Sequence, residues 1–425
     1  MVWREASCWL RSVSGRPDEQ RIRFRAAMKI LHVVPTYYPA VRYGGPIYSV
    51  HALCCALAAA GHQTHVFTTS VDGPGDSDVP YGRPVDLDGV QVHYFRSRWL
   101  RRLYYSTDLK DKLSLMTRDF DIVHLHSVFL FPTWAGAWAA KRLDIPYVLS
   151  PRGMLVRELI ARRSTVTKNT WIRLIERGNL AGAARIHLTS DGESRALTDL
   201  GLALAPTTII PNGVDSPPSF SHDAVSPDVR ALIAKGFDIL SLGRINWKKG
   251  LDRLVRAMAE MPEARAVIAG HDDDGLASSL RNAAEECGVG ERVRILPRQI
   301  SGSDKEALFS AARLFILPSV SENFGNVVAE AMIRALPVVV TKGVGASEIV
   351  EASGGGVVVG TGHRELAATV SNLLRSDDVL AAMGAAGAPY ARDRLNWSSI
   401  ARRFEELYQE ISSLKGEGRR RPAAA

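Results

Sequence analysis

The sequence predicts an α/β protein made of two domains, each built on a doubly wound parallel sheet. Short β-branched runs alternate with amphipathic stretches along the chain, which is typical of parallel sheets covered by helices. The pattern restarts near residue 235, after a segment rich in Pro, Ser and Asp. With 425 residues and 46% hydrophobic content, the chain is long enough to bury two separate cores.

The strand candidates are short apolar runs with many β-branched residues. In the first half they are KILHVV, QTHVFTT, VQVHYF, DIVHLH, PYVLS, ARIHLTS and TTIIP, and in the second half FDILSLG, ARAVIAG, RVRILP, RLFILPS, PVVVT and GGVVV. Helical stretches such as PIYSVHALCCALAAAG and TWAGAWAAKRL lie between them. The last strong helix, WSSIARRFEELYQEISSL, follows the second sheet.

These patterns predict the domain boundaries. We expect a disordered N-terminal extension at 1–27, a first Rossmann-like domain at 28–214, a linker at 215–234, a second Rossmann-like domain at 235–395, a helix packing back across the domains at 396–414 and a disordered tail at 415–425. The extension is Arg-rich and has no apolar core of a secretory signal. Either Met1 or Met28 is therefore the natural start.

Charge and cysteine usage restrict the functional classes. The net charge of +8 suggests an anionic partner, which is nucleic acid, a phosphorylated substrate or an acidic lipid surface, unless the protein is simply basic. Cys8, Cys54, Cys55 and Cys287 form no CxxC pair and no disulfide framework. They indicate neither a zinc site nor an oxidising compartment. No apolar run approaches the roughly 20 residues that span a bilayer.

The stretch SENFGNVVAEAM, residues 321–332, is the strongest candidate site. Glu322 lies in a predicted loop that closes at Phe324-Gly325, and Glu330 lies in a helix capped near Asn326. The unpaired N–H groups at such a helix start favour a phosphate. A ligand with a diphosphate in its middle would fit between the two glutamates.

A second loop supplies cations for such a ligand. Arg244 and Lys249 follow the first strand of the second half, in GRINWKKG, where they can neutralise a diphosphate. The alternative is that both are solvated loop residues. Two facing doubly wound domains predict that the ligand lies at the carboxyl ends of the strands, where this loop belongs.

Loops of the first half add further candidates. Gly44 and Gly45, in YGGPIYS, allow a close backbone approach to a ligand, or form a plain turn. His124 and His126 point to the same side of a strand, and histidines with this spacing can bind metal, but we identify no third ligand. A structural role is the alternative for a strand histidine.

The segment GHDDDG, residues 270–275, could form a metal site of another kind. Asp272 and Asp274 have the DxD spacing with which a divalent metal and a nucleotide diphosphate are held in GT-A enzymes. We favour a polar loop with a helix cap there, because Arg244, Lys249 and the helix start already supply positive charge. We therefore predict no metal and no other cofactor.

The motifs GRINWKKG, IIPNGVD, VIAG and SENFGNVVAEAM followed by LPVVVT resemble those of the retaining glycosyltransferases of family 4, from about Lys29 to about Leu414. That resemblance implies the two-domain GT-B fold and a nucleotide-diphosphate-sugar donor. One departure is Ala335 before Leu-Pro, where the family usually has glycine; we expect this change to matter little.

The resemblance also assigns roles to individual residues. It implies that Glu322 lies beside the donor sugar, that Glu330 holds the ribose, and that Arg244 and Lys249 stabilise the departing diphosphate. It also implies that His126 faces the donor sugar, and that sugar and phosphate are cradled by the loop and helix start at Asn323, Phe324, Gly325, Asn326 and Val327. On the acceptor side it places Arg152, Gly153 and Glu193.

The acceptor is less visible in the sequence. FRSRWLRRLYYSTDLK, residues 95–110, interleaves arginines with Trp99, Tyr104 and Tyr105, which suits an anionic membrane surface and a lipid-linked acceptor. Single-stranded nucleic acid, or a solvated helix face, would also fit this composition. We expect a cytoplasmic enzyme on the inner face of the cytoplasmic membrane, with no nucleic acid partner.

Together these features predict a metal-independent hexosyltransferase of exopolysaccharide biosynthesis that acts on a glycan or lipid-linked acceptor. A nucleotide-sugar epimerase of the same fold and a non-catalytic nucleotide-sugar-binding protein are the alternatives. A hydride-transferring Rossmann enzyme is disfavoured, since no G-x-G-x-x-G follows either first strand.

Overall fold

The computed structural model describes residues 27–157, 160, 165–272 and 274–420. The predicted N-terminal extension up to residue 26 and the last five residues of the predicted tail lie outside the described residues. Among the described residues, no helix is both long and apolar enough to span a bilayer.

Every run that the sequence marks as a strand forms one. The strands are β1 (Lys29–Thr36), β2 (Gln63–Thr69), β3 (Val71–Asp72), β4 (Gly75–Asp76), β5 (Val85–Leu87), β6 (Val90–Phe95), β7 (Ile122–His126), β8 (Tyr147–Ser150), β9 (Arg185–Leu188), β10 (Thr207–Ile209), β11 (Ile239–Leu242), β12 (Ala266–Ala269), β13 (Val293–Leu296), β14 (Leu314–Leu317), β15 (Val338–Thr341) and β16 (Gly356–Val359).

The helices follow the amphipathic stretches. They are α1 (Gly45–Ala59), α2 (Thr107–Met116), α3 (Phe131–Arg142), α4 (Thr165–Trp171), α5 (Arg177–Ala181), α6 (Asp191–Thr198), α7 (Pro227–Lys235), α8 (Leu251–Met258), α9 (Ala277–Glu286), α10 (Gly302–Ala311), α11 (Asn326–Met332), α12 (Ser347–Ser353), α13 (His363–Leu374), α14 (Asp377–Arg394) and α15 (Trp397–Arg420). A π-helical turn at Ile172–Glu176 joins α4 to α5.

The chain forms two compact units. The first contains the residues up to Ser150, Trp171–Arg185 and the residues from Glu405 onward, and the second contains Pro151–Thr170 and Ile186–Phe404. In the first unit the strand order runs β8-β7-β1-β2-β6-β5. All of these strands pair in parallel except β5, which forms an antiparallel hairpin with β6.

The second unit carries a six-stranded, all-parallel sheet in the order β13-β12-β11-β14-β15-β16. Side chains of β11 alternate between two cores: Leu240 packs with residues of α11, whereas Ile239 packs with residues of α8 and α13. Strands β9 and β10 of this unit pair with each other in parallel. The doubly wound parallel architecture predicted for this half is therefore present.

The strand order places a switch point between β11 and β14. The chain moves outward from β11 to β12 and β13, then returns to β14 on the other side of β11. The two loops that leave the carboxyl ends of these neighbours therefore diverge, which opens a crevice for a ligand. Arg244 and Lys249 belong to the first of these loops, and Glu322 belongs to the second.

Several local features were not predicted. The segment read as a linker, residues 215–234, contains most of helix α7, which buries Val229 completely. The short strands β3, β4 and β5 were absent from the prediction. The predicted boundaries of domains, linker and C-terminal helix stay predictions.

Prediction on acid stability. His187 on β9 is buried and its Nε2 donates to the carbonyl of Ile210 at 2.8 Å. Burial, more than nearby arginines, lowers the pKa of His187 from 6.5 to about 3. The neutral ring therefore contributes stability above pH 6.5 that is lost as the pH falls toward 3, on the order of 2–3 kcal/mol by pH 4.5.

Urea unfolding at pH 7 and at pH 4.5 measures this loss. The variant His187→Gln should lose less free energy of unfolding between the two pH values than the wild type does, and the same substitution at the exposed His222 should leave the wild-type loss unchanged. Equal pH dependence in all three proteins would show that His187 is not responsible.

Candidate active site

The loop after β11 is held in place by close packing at two glycines and by one backbone hydrogen bond to the loop after β14. Gly250 has a φ of 59°, and a Cβ on it would lie 2.3 Å from the carbonyl oxygen of Pro318. The carbonyl of Lys248 accepts from the N–H of Val320 at 2.7 Å. Gly243 lies under Lys249, whose Nζ would be 3.4 Å from a Cβ at that position. The loop is thereby packed against the loop that follows β14.

The loop after β14 is fixed in turn by the loop after β15. The N–H of Glu322 donates to Gly343 O at 2.9 Å, and the carbonyl of Glu322 accepts from the N–H of Gly345 at 3.0 Å. Phe324 is buried in the core. Gly325, with a φ of 90°, turns the chain into α11, which begins at Asn326 as the sequence predicts.

These two loops bring two predicted site residues into direct contact. The Lys249 ammonium donates to the Glu322 carboxylate at 2.7 Å, and the side chains are 12% and 26% exposed. Arg244 lies in the same loop as Lys249 and its side chain is exposed. The arrangement gives a mostly buried cation that is anchored by a carboxylate.

Glu330 lies one turn into α11, where the sequence places it. Its carboxylate forms an ion pair with the ammonium of Lys305 on α10, at 2.7 Å. Both side chains are partly exposed, 28% for Glu330 and 26% for Lys305. Val327, in the first turn of α11, is half-buried against the same core.

The three acceptor-side candidates lie together: Arg152 and Gly153 form a turn, and Glu193 on α6 contacts that turn. The carboxylate of Glu193 accepts from the N–H of Gly153 at 2.6 Å and from the N–H of Thr189 at 2.8 Å. Arg152 and Gly153 both have positive φ, 56° and 69°. Burial raises the pKa of Glu193, and these hydrogen bonds oppose that rise. Glu193 therefore holds the Arg152-Gly153 turn from inside the protein.

The Arg152-Gly153 turn touches the loop of Asn323 within the second unit. A Cβ on Gly153 would lie 2.8 Å from the Asn323 side chain, and the amide of Asn323 donates to Thr189 Oγ1 at 2.9 Å. The carbonyl of Asn323 accepts from Ser190 Oγ at 3.1 Å. Donor-side and acceptor-side candidates of this unit are thus packed together.

A polar chain makes a second link between these segments. The guanidinium of Arg152 donates to Asn212 Oδ1 at 3.0 Å, and Asn212 donates to Asn326 Oδ1 at 2.8 Å. The side chain of Asn326 is therefore engaged with Asn212, while Gly325 occupies the cap position of α11. Asn212 was not predicted as a site residue, although it lies in the IIPNGVD motif.

The glycines of the first unit lie where the sequence predicts. Gly44 has a φ of 73° and a ψ of −138°, which only glycine adopts readily, and Gly45 begins α1 with Pro46 in its first turn. The N–H of Gly44 donates to the carbonyl of Val41 at 3.0 Å. The close-approach and plain-turn interpretations both agree with this geometry.

The strand histidines belong to a buried cluster. His126 is 1% exposed, and its Nε2 lies 3.0 Å from Nδ1 of His32 on β1. His124 contacts Tyr408 through Nδ1 and Ser150 through Nε2, each at 2.7 Å. The third histidine of the cluster, His32, was not predicted, because it is 92 residues before His124 in the chain. It lies beside His124 only because β1 pairs with β7.

Asp272 has a local role in the GHDDDG loop. Its carboxylate oxygens accept from the N–H groups of Leu276 and Ala277, at 2.8 and 2.9 Å. This is the helix-start cap favoured from the sequence. Both oxygens of Asp272 are thus engaged with the start of α9.

The segment 95–110, which is rich in arginine and aromatic residues, has some side chains packed against the protein and others exposed to solvent. Arg101 is bonded to Asp76 and to the carbonyl of Ser97, at 3.1 and 2.9 Å, and Tyr105 packs against Phe131. Trp99 and Leu100 are 75% and 64% exposed. Arg96, Arg98 and Arg102 are exposed as well.

An open groove of about 710 Å³ adjoins the same segment, at the carboxyl end of β6. Its lining includes Arg96, Arg98 and Lys112 together with Tyr81, Tyr94 and the 65% exposed Leu115, and two carboxylates, Asp108 and Asp111. The groove thus combines cations with apolar surface.

Comparison with known proteins accounts for this arrangement. Residues 44–213 match the family described as "Glycosyl transferase 4-like domain", and residues 227–389 match "Glycosyl transferases group 1". The chain is a family 4 glycosyltransferase with the GT-B fold. The fold class and the enzyme class predicted from the sequence are confirmed.

Curated relatives of this glycosyltransferase span nearly its whole length. It is 29% identical to D-inositol 3-phosphate glycosyltransferase of Xylanimonas cellulosilytica, over 94% of this chain and 98% of the relative. It is 26% identical to GDP-mannose:cellobiosyl-diphosphopolyprenol alpha-mannosyltransferase of Xanthomonas oryzae pv. oryzae, over 90% and 97% of the two chains.

Solved structures show the same fold. Sucrose-phosphate synthase from Thermosynechococcus elongatus is similar with a TM-score of 0.69 and 22% identity, over 91% of this chain and all of the other. Anabaena HepE in complex with UDP and glucose gives a TM-score of 0.68 and 21% identity, over 90% of this chain and all of that one.

Ala335 stands where the resemblance to family 4 implies a glycine, and the structure shows the backbone conformation at this position. Ala335 has a φ of 56°, in the left-handed region that favours glycine. A residue with a Cβ costs about 1–2 kcal/mol there. The fold accommodates the methyl group of Ala335, but the backbone there is strained, whereas the sequence predicted a change of little consequence.

Prediction on the acceptor-side loop. The substitution Glu193→Gln in the glycosyltransferase replaces one of two accepting oxygens by a donor, so that the N–H of Gly153 or of Thr189 loses its partner. We expect a loss of about 1–3 kcal/mol in the free energy of unfolding, measured by urea titration.

The same substitution at Glu351, which is exposed on α12, is the control and should change the free energy of unfolding by about 0.5 kcal/mol or less. Equal stability of both variants would contradict the anchoring role of Glu193.

Proposed function

We propose that the protein is a retaining hexosyltransferase that moves a sugar from a nucleoside-diphosphate sugar to a glycan or lipid-linked acceptor in exopolysaccharide synthesis. The contact between Lys249 and Glu322, in the loops that flank the switch point of the second unit, carries this proposal. Similar proteins support such a donor, since HepE has been crystallised in complex with UDP-glucose and one relative is named for GDP-mannose.

In the proposed reaction the anomeric C–O bond breaks, so that positive charge builds on the sugar and negative charge on the leaving diphosphate. Arg244 and Lys249 would stabilise the diphosphate, together with the N–H groups from Phe324 to Val327. The Lys249 ammonium is held in place by Glu322 before the charge develops, so little reorganisation is required.

We propose that the acceptor attacks from the face that the diphosphate leaves, and that a donor phosphate oxygen takes its proton. Glu322 would bind sugar hydroxyls and fix Lys249, rather than act as a nucleophile. Glu330 would bind the ribose hydroxyls. The ammonium of Lys305, which forms an ion pair with Glu330, would partly neutralise the charge of that carboxylate. In this scheme no metal is needed for the chemistry.

The alternatives differ in what they release. A nucleotide-sugar epimerase converts its donor without freeing nucleotide, and a non-catalytic binding protein does neither. Assays of UDP, GDP and ADP release from a panel of donor sugars, with and without lipid-linked acceptors, separate the three. Acceptor-dependent release of one nucleotide supports the transferase, whereas conversion of the donor without any release contradicts it.

Prediction on the donor site. The substitution Lys249→Ala should lower the turnover number about 10²- to 10³-fold, because one preorganised positive charge at the diphosphate is lost. Lys248→Ala, at the neighbouring ammonium, is the matched control and should keep activity within a few-fold. Glu330→Ala should chiefly weaken nucleotide binding, as measured by calorimetry. Full activity in both Lys249→Ala and Glu330→Ala would refute the site assignment.

We also propose that the enzyme binds an anionic membrane surface and takes a lipid-linked acceptor through the segment around Trp99. Trp99 and Leu100 protrude beside exposed arginines, and the groove at the end of β6 has both cations and apolar surface. This pairing suits a lipid carrier with a diphosphate head. Such an acceptor agrees with the diphosphopolyprenol in the name of one relative.

Prediction on membrane binding. The wild type should co-sediment with vesicles rich in phosphatidylglycerol at low salt, and less with neutral vesicles. Replacing Trp99 and Leu100 by serine should weaken binding roughly tenfold or more, because two apolar side chains no longer enter the interface. Leu174→Ser, at a residue that is 76% exposed on the π-helical turn, is the control. Absence of binding to anionic vesicles at low salt would reject the proposal.

A further inference from the structure

A cluster of three ligand-type side chains lies in the first unit, among residues that the proposed reaction does not use. His51 and Cys55 are one turn apart on α1, and Asp88 lies in the turn between β5 and β6. Nε2 of His51 is 3.2 Å from the Asp88 carboxylate and 3.5 Å from Cys55 Sγ. The three ligand atoms all lie within 4.8 Å of one another.

The geometry differs from that of a simple pair or a catalytic triad. In a Cys-His-Asp triad the thiol and the carboxylate contact different ring nitrogens. Here the carboxylate approaches Nε2, and the thiol lies 3.5 Å from Nε2 and 3.7 Å from Nδ1. Zn²⁺ bonds of about 2.0–2.3 Å in tetrahedral geometry place nitrogen, oxygen and sulfur ligands about 3.3–3.6 Å apart. The two distances from Nε2 are close to these separations.

The surroundings of His51 favour a metal ligand. Its Nδ1 lies 2.8 Å from the hydroxyl of Tyr37, which can accept a hydrogen bond from an N–H at Nδ1; in that tautomer the Nε2 lone pair is available for a metal. The ring of Tyr38 packs against the imidazole, with centroids 4.7 Å apart.

The third ligand is supplied by a rigid turn. Asp88 and Gly89 both have positive φ, 54° and 82°, which is the two-residue hairpin turn typical of Asp-Gly. The carboxylate of Asp86 accepts from the N–H of Gly89 at 3.0 Å and so braces the turn. Asp88 is thereby held over the α1 face that carries His51.

We propose that His51, Cys55 and Asp88 bind a thiophilic divalent cation, with Zn²⁺ the best fit and solvent in the fourth position. Cys55 Sγ also lies 3.7 Å from Nδ1, so ligation requires a change in the side-chain rotamer of Cys55. The thiol proton passes to solvent on binding. The cation would fasten α1 to the β5–β6 hairpin, a structural role that is independent of the proposed sugar transfer.

Cobalt titration of the full-length, reduced and chelator-treated protein tests this. Cobalt bound to a thiolate gives a sulfur-to-metal charge-transfer absorption, which a site made only of histidines cannot give. We expect this absorption to saturate at one cobalt per chain in the wild type and in Cys287→Ser, a control at a free cysteine of the second unit, and to be absent in Cys55→Ser. Zn²⁺ should raise the midpoint of thermal unfolding of the wild type.

Asp88→Asn provides an independent variant, because asparagine tolerates the left-handed turn but carries no charge. It should weaken cobalt binding roughly tenfold or more. The proposal is overturned if the wild type shows no charge-transfer absorption at saturating cobalt, or if the absorption persists in Cys55→Ser. Where Cys55→Ser does not fold, unchanged affinity in Asp88→Asn overturns it.

Discussion

The adjacency of β11 and β14 is the constraint on which the candidate site depends. Because the chain reverses its direction of winding there, the loops at the carboxyl ends of these two strands separate and then meet again at the Lys249–Glu322 ion pair. Neither residue would face the other if the strand order were sequential. The chemistry assigned to the site thus rests on the topology of one sheet.

Backbone packing converts this topology into a fixed geometry. Gly250 lies against Pro318, and the loop of Glu322 is bonded on both sides to the segment from Gly343 to Gly345. A larger residue at Gly250 would clash with backbone, not with a movable side chain. The ion pair is therefore supported by main-chain contacts, which suits a site that must present a charge without reorganising.

Sequence patterns predicted the parallel sheets well because buried strands are recognised from composition and length alone. The predicted turn at Gly325 and the helix start at Asn326 are both present. The edge strand β5 was missed because three residues of an antiparallel hairpin give no apolar run. Pattern reasoning is strong where one local signal suffices.

Partners that depend on strand register or helix packing were out of reach. His32 joins His126 only through the pairing of β1 with β7, and Lys305 reaches Glu330 from a different helix. Counting cysteines likewise gave no sign of a metal, since His51 and Asp88 are ligands of other types on separate elements. Such pairs require the fold before they can be recognised.

A crystal structure of the protein with a bound nucleoside diphosphate would test the donor site. We expect a phosphate oxygen about 2.7–2.9 Å from the Lys249 ammonium and the ribose hydroxyls against the Glu330 carboxylate. A nucleotide bound elsewhere, with Lys249 still turned wholly toward Glu322, would contradict this expectation.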